Sequence, residues 1–207
     1  MMKPSIFNSL LFIFLISTPI IIKGQDTLRL LNGKIMDVSI QEINENSITF
    51  VETYKGKANF RHRQLSTIFS YQELNKPEVI VYEYQPEVGN FYQIDEMRNY
   101  ILGEQHADAN YSSGFLNAIS IATGTAAGYF LAQGDLAFVA LPLVYSSILI
   151  IPGAKVKKRP YNTDYLNDEA YVAGYKRVAR SKKFFNCLTF SGVSMLASFG
   201  VFKLIDN

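Results

Sequence analysis

Hydrophobic positions along this chain fall into two regimes. Between residues 26 and 84, apolar and polar side chains alternate in short runs broken by turn residues. Around and beyond that stretch, apolar residues gather in long blocks at 5–22, 114–152 and 184–204. Alternation with period two predicts half-buried strands, whereas unbroken apolar blocks predict buried or membrane helices.

The alternating region predicts a small all-β unit. In "DTLRLLNGKIMDVSI" the pair Asn32-Gly33 separates two runs of strand formers, and that dipeptide favours a two-residue hairpin turn. "NSITFVETY" follows the polar turn at residues 44–46, and Lys55-Gly56-Lys57 marks another turn. "ANFRHRQLSTIFSY" supplies one or two strands, and "EVIVYEYQ" supplies the last after Asn75-Lys76-Pro77. Five short strands at this spacing predict a small antiparallel barrel or strongly curved sheet. Its expected core is Leu28, Leu30, Ile35, Val38, Ile40, Ile48, Phe50, Leu65, Ile68 and Val81. Closure would remove the exposed sheet edges.

The polar connection after it, residues 87–113, contains Ile94, Met97, Ile101 and Leu102 at near-helical spacing. A short helix over 95–102, ended by Gly103, is expected.

Three apolar blocks follow the leader. The first, 114–133, carries Gly124 and Gly128 four residues apart, a pattern that lets a second helix approach closely. The expected packing partner is the next segment, reached through Gly134-Asp135; an oligomer seam is the alternative. The second block, 136–152, contains Pro142 and is near the lower length limit for a span. The third, 184–204, is uncharged until Lys203. Three such helices exceed what the remaining polar elements could cover, so a membrane setting is expected. Two spans or three remain open: the cations after the second block favour two, and the hairpin pattern favours three.

Composition sharpens this. Hydrophobic residues make up 48% and charged residues 18% of 207 residues, below the roughly 25% charged content of ordinary soluble domains. The net charge of +2 hides an asymmetry, because residues 155–183 hold nine Lys/Arg against three acids. Residues 1–24 read as an export signal: Lys3, an apolar stretch at 6–22, and Gly24 before Gln25. Ile22 fits a cleavage site poorly, so an uncleaved anchor stays open. The single cysteine, Cys187, permits no intrachain disulfide.

From Asn167 onward an amphipathic basic helix is expected to run into the last apolar block, with acids at its start and cations at its end. Lys155, Lys157, Lys158, Arg159, Lys176, Arg180 and Lys183 are the candidate contacts to anionic lipid head groups. Export argues against nucleic acid as a partner. Lipids, an envelope protein or a second copy of the chain are the partner classes left.

Catalytic chemistry finds little footing. His62 lies between Arg61 and Arg63 on an expected exposed strand. Glu104, His106 and Asp108 alternate in a stretch expected to be a polar linker, at a spacing matching no established metal site. No phosphate loop, nucleophile elbow or metalloprotease helix appears. No catalytic, cofactor or metal site is therefore assigned, and a non-enzymatic role is expected.

"DTLRLLNGKIMDVSIQEINENSITFVE" with "LSTIFSYQ" resembles the opening module of envelope proteins of the Bacteroidota. "GEQHADANY" and "YVAGYKRVARSKK" are similar to later segments of that family, flanking a Gly-rich apolar hairpin. Gln105-His106 before Asp108 and a shortened final strand region depart from the pattern. The resemblance implies an α+β chain, with an SH3-like barrel at 25–86 and a helical membrane domain at 114–207. It implies an envelope location and no activity. Two roles follow: a tethered scaffold or interaction module, or a membrane-active helical assembly or pore built on the Gly-rich hairpin.

Overall fold

The computed structural model describes residues 25–151, 154–156 and 158–205. The expected signal at 1–24 and the cation Lys157 lie outside the described residues. The fold is α+β: a six-stranded antiparallel sheet followed by helices.

Strands β1 (Asp26–Leu30), β2 (Ile35–Ile43), β3 (Ser47–Tyr54), β4 (Lys57–Gln64), β5 (Ile68–Gln72) and β6 (Val79–Ile80) pair in the order β4-β3-β2-β1-β5-β6. Sequence neighbours therefore pair as hairpins, except that β5 returns to β1. Leu28, Leu30, Met36, Val38, Ile48, Phe50 and Ile68 form the core on one face. Ile35, expected inside, is 47% exposed because it sits at the first position of β2, beyond that core.

The expected barrel does not close. All eight residues of β4 are exposed, including Phe60, so that strand has no apolar face to carry it around onto β6. β6 spans only two residues and offers a short edge. The sheet is open, with β4 and β6 as its edges.

Two turns exchange roles relative to expectation. Lys55 and Gly56 form the tight two-residue turn, with φ of 50° and 76°. The Asn32-Gly33 connection instead spans residues 31–34, and only Gly33 is left-handed, at φ 80°. Asn32 Oδ1 accepts from the Lys34 amide at 3.2 Å. A Cβ at Gly33 would lie 2.9 Å from Glu104 Cβ. Gly33→Ala is therefore expected to cost about 1–2 kcal/mol, from the φ penalty plus the clash; chemical denaturation measures it, and a loss below about 0.5 kcal/mol would refute the tight docking of this turn.

Helix α1 covers Ile94–Asn110. Its start is fixed by Gln93, whose backbone amide donates to Glu96 Oε2 at 2.8 Å. The helix runs well past Gly103, correcting both the expected stop there and the expected linker at 104–110. Gly103 is a contact glycine rather than a terminator, as its neighbours below show. Phe69, Tyr82, Met97 and Ile101 form a second core that fixes α1 to the sheet. β5 is thus buried on both sides, with Ile68 in one core and Phe69 in the other.

Helix α2 is Gly114–Ala132 and helix α3 is Leu141–Ile150, preceded by a 3-10 turn at Leu136–Ala140. Pro142 lies in the first turn of α3, where a missing amide is harmless, so it introduces no mid-helix kink. Helix α4 is a single 37-residue element, Glu169–Ile205. Asp168 caps it, its Oδ1 accepting from the Tyr171 amide at 2.8 Å.

Candidate functional site: a helical spine with a basic collar

Helix α4 is the spine on which α1, α2 and α3 all pack. Its upper half crosses α1 at two facing glycines. A Cβ on Gly103 would overlap the Tyr171 carbonyl, and one on Gly174 would overlap the Tyr100 carbonyl. Ala107, Tyr171, Tyr175 and Ala179 fill the contact, with Ala154 from the returning chain. Arg177 pairs with the buried Glu104 carboxylate, and Lys182 reaches Asp108 Oδ1 at 2.8 Å. Gln105 donates to the Gly33 carbonyl at 3.1 Å, tying the sheet to the same unit.

Its lower half packs on α2 along the seam anticipated at Gly124 and Gly128. The partner differs from the one expected. A Cβ on Gly124 would overlap the Ser191 carbonyl, and one on Gly128 the Met195 carbonyl and the Ser198 hydroxyl. The glycine face is thus taken up by the last helix of the same chain rather than by the next segment. Ser198 Oγ donates to the Thr125 carbonyl across the pair at 3.0 Å. Ser191, Ser194 and Ser198 went unremarked in the sequence, although their spacing of three and four places them on one helix face.

The two helices run parallel. Asn186 meets Ser113 at the top, and Phe202 meets Tyr129 near the bottom, ring centroids 5.0 Å apart. The chain between them must therefore climb back. Phe138 stacks on Phe130 at 4.6 Å near the lower end of α2, while Ala154 sits in the upper cluster beside Ala107. The 3-10 turn and α3 together reach about 25 Å, close to the about 28 Å length of α2. The second apolar block is thus a return path of two short pieces, not one long helix.

Side-chain placement on the lower helices is inverted relative to a soluble core. Small residues face inward: Ser120, Gly124, Ala127 and Gly128 meet Ser191 and Ser198, all buried. Large apolar residues face outward, among them Phe115, Leu143, Ile148, Val193, Leu196 and Leu204, each more than half exposed. α2 and α4 are both long and apolar enough to cross a bilayer, yet only 28% and 17% of their apolar windows are buried. A core helix of a soluble protein would be mostly covered.

Above this apolar zone sits the basic collar. Lys155, Lys176 and Arg180 line one open groove of about 520 Å³ with Val156, Leu166 and Val172. Lys158 and Arg159 are exposed on the same returning loop. Lys183 is only 6% exposed, so its stem is covered, unlike those of its neighbours in the stripe.

The residues considered for catalysis are placed apart. His62 is exposed on β4, its Nδ1 3.3 Å from Thr49 Oγ1. On α1, Glu104 pairs with Arg177, His106 Nδ1 lies 2.9 Å from the Tyr171 hydroxyl, and Asp108 pairs with Lys182. Burial lowers the His106 pKa and pushes that of Tyr171 up to about 12. Each group is engaged separately, and among the described residues no cluster of His, Cys, Asp or Glu is arranged to hold a metal ion.

Comparison with known proteins adds no relative: no family model matches the chain, and neither a curated protein nor a solved structure does.

Proposed function

We propose that this chain is a non-enzymatic membrane protein of the cell envelope, whose sheet is a scaffold or interaction module held above the bilayer by a stiff helical tether. The observation that carries the reading is the inverted pattern of α2 and α4, with small and hydroxyl residues inside and large apolar residues outside. Lipid accounts for that arrangement, because helices in a bilayer gain by close backbone packing while their bulky side chains meet acyl chains. Continuity of α4 supports the tether: one helix is locked to α1, and through it to the sheet, above, and to α2 below. Along α4 the helix is unbroken from module to anchor.

The strand order, with a 3-10 turn at Leu65–Thr67 leading into β5, supports an opened SH3-like module. The export-type leader supports placing the sheet on the periplasmic side. The parallel course of α2 and α4 supports three crossings: α2, the return path, and the lower half of α4. That course puts the basic segment 154–183 on the same side as the sheet, where its packing on α1 also holds it. The positive-inside tendency would draw this side to the cytoplasm instead, so leader and charge oppose each other.

Reporter fusions after residues 90, 160 and 207 test all of this. The first two are expected to report periplasm and the third cytoplasm. Opposite sides for 90 and 160 would overturn three crossings, and cytoplasm for both would overturn the exported sheet. A chain remaining monodisperse in water without detergent would sink the membrane reading altogether.

A further inference from the structure

A small recess lies beside the top of α2, next to the open groove of the collar and sharing Lys155 with it. It is lined by Tyr111, Ser112, Lys155, Arg159, Tyr161 and Tyr175, with Asn110 at its rim, and has a volume of about 70 Å³. Its chemistry is one-sided. Two cations, one hydroxyl, three phenols and an amide line it, and no carboxylate does. Neither Lys155 nor Arg159 has a carboxylate partner within ion-pair distance among the described residues. Of the acids near it in sequence, Asp108 holds Lys182, Asp168 caps α4 and accepts from Asn99 at 2.8 Å, and Asp164 forms no ion pair with either cation.

Size narrows the ligand. A volume of about 70 Å³ suits a few waters or one tetrahedral oxyanion and is small for a whole sugar or nucleobase. Tyrosine phenols are neutral at pH 7 and can donate, and burial holds that of Tyr175 above its ordinary pKa. Height narrows it further. Ser113, two residues past Tyr111, meets Asn186 at the upper end of the apolar zone. The recess therefore opens where lipid phosphates lie if α2 and lower α4 cross a bilayer.

We infer that this recess is a binding site for a single phosphate group, held by Lys155 and Arg159 and ringed by the Ser112 hydroxyl and the Tyr111, Tyr161 and Tyr175 phenols. The inference rests on the membrane reading for one of its two sources, a lipid head group such as that of phosphatidic acid. The other source is free phosphate. A guanidinium and an ammonium that line one recess can each make a charge-assisted bond to an oxyanion, about twice as strong as a neutral one. The phenols add direction without charge, so a neutral polar head group gains little.

The test uses the full chain in neutral detergent micelles, titrated calorimetrically with short-chain phosphatidic acid, inorganic phosphate and short-chain diacylglycerol. Phosphatidic acid is expected to bind saturably, and diacylglycerol is not. Arg159→Gln and Lys155→Gln should each weaken binding about tenfold. Lys57→Gln, an exposed cation on β4, should leave it unchanged. Tyr161→Phe, which keeps the ring, should weaken it by a smaller factor than either cation variant. Inorganic phosphate binding as tightly as phosphatidic acid, with the same variant dependence, keeps the site and assigns its source to solution. Equal loss with Lys57→Gln, or no saturable binding of either phosphate, overturns it. Flotation with liposomes is read on the same preparations. Failure to float sinks the membrane reading, whereas flotation without phosphate binding sinks only the recess.

Discussion

Replacing Gly124 and Gly128 together with Leu is expected to separate α2 from α4. Each new side chain would have to occupy space already filled by backbone: the Ser191 carbonyl at one position, the Met195 carbonyl at the other. Backbone of a continuous helix cannot yield as a side-chain end can, so the helices must move apart. Overpacking of one site typically costs about 1–3 kcal/mol, and the pair should cost about 3 kcal/mol or more in stability measured by detergent-driven unfolding. The two sites share one seam, so their effects will not simply add. Ser198→Ala is the graded companion. It removes one hydrogen bond to the Thr125 carbonyl and should cost about 0.6 kcal/mol, the usual worth of such bonds inside a membrane. Because the seam is filled within one chain, oligomer size should stay constant while stability drops. A change in oligomer size with unchanged stability would instead favour the assembly or pore built on Gly124 and Gly128.

The pattern of large apolar residues made some of this visible and hid the rest. Strand existence, the turn at Lys55-Gly56 and the apolar blocks were legible, because alternation and block length survive without knowledge of neighbours. So was the passage of the basic helix into the last apolar segment, since no breaker interrupts 169–205. The full extent of α1 was not. Its contact face includes Gly103, Glu104 and Ala107, which carry little hydropathy and work by letting α4 come close. Gly103 then looks like a stop. The same blindness concealed the serines opposite Gly124 and Gly128. Barrel closure was overcalled for a different reason. Period-two spacing shows that β4 is a strand but cannot show that both of its faces meet solvent. The recess at Lys155 and Arg159 depends on α1, the returning loop and α4 meeting in space, which no local stretch encodes.

Arg177→Met should strike the joint between sheet and spine. Glu104 has 1% of its side chain exposed; Arg177 holds one of its oxygens, while Oε2 has no hydrogen-bond partner. The Gly33 turn closes over it, a Cβ there lying 3.1 Å from Oε2. Losing the partner of a fully buried pair costs about 3–5 kcal/mol; with Arg177 itself 58% exposed, about 2 kcal/mol is expected. The loss will depend on pH, and the sign follows from Glu104. Burial raises its pKa above the ordinary 4.5, even against the lowering effects of Arg177 and Tyr100. The folded state therefore binds this proton more readily than the unfolded chain, and its stability falls as pH rises from 4.5 through the raised value. Removing Arg177 raises that value further and widens the window. Wild type minus Arg177→Met should accordingly grow in stability difference as pH climbs from 4.5 toward neutral, and the difference should shrink on acidification. In Glu104→Gln, which has no proton to bind, the Arg177→Met substitution should cost less and lose this pH dependence. A double-mutant cycle followed across that range measures the coupling directly. A pH-independent cost, equal in both backgrounds, would show that Arg177 acts through packing of its stem and not through the carboxylate it covers.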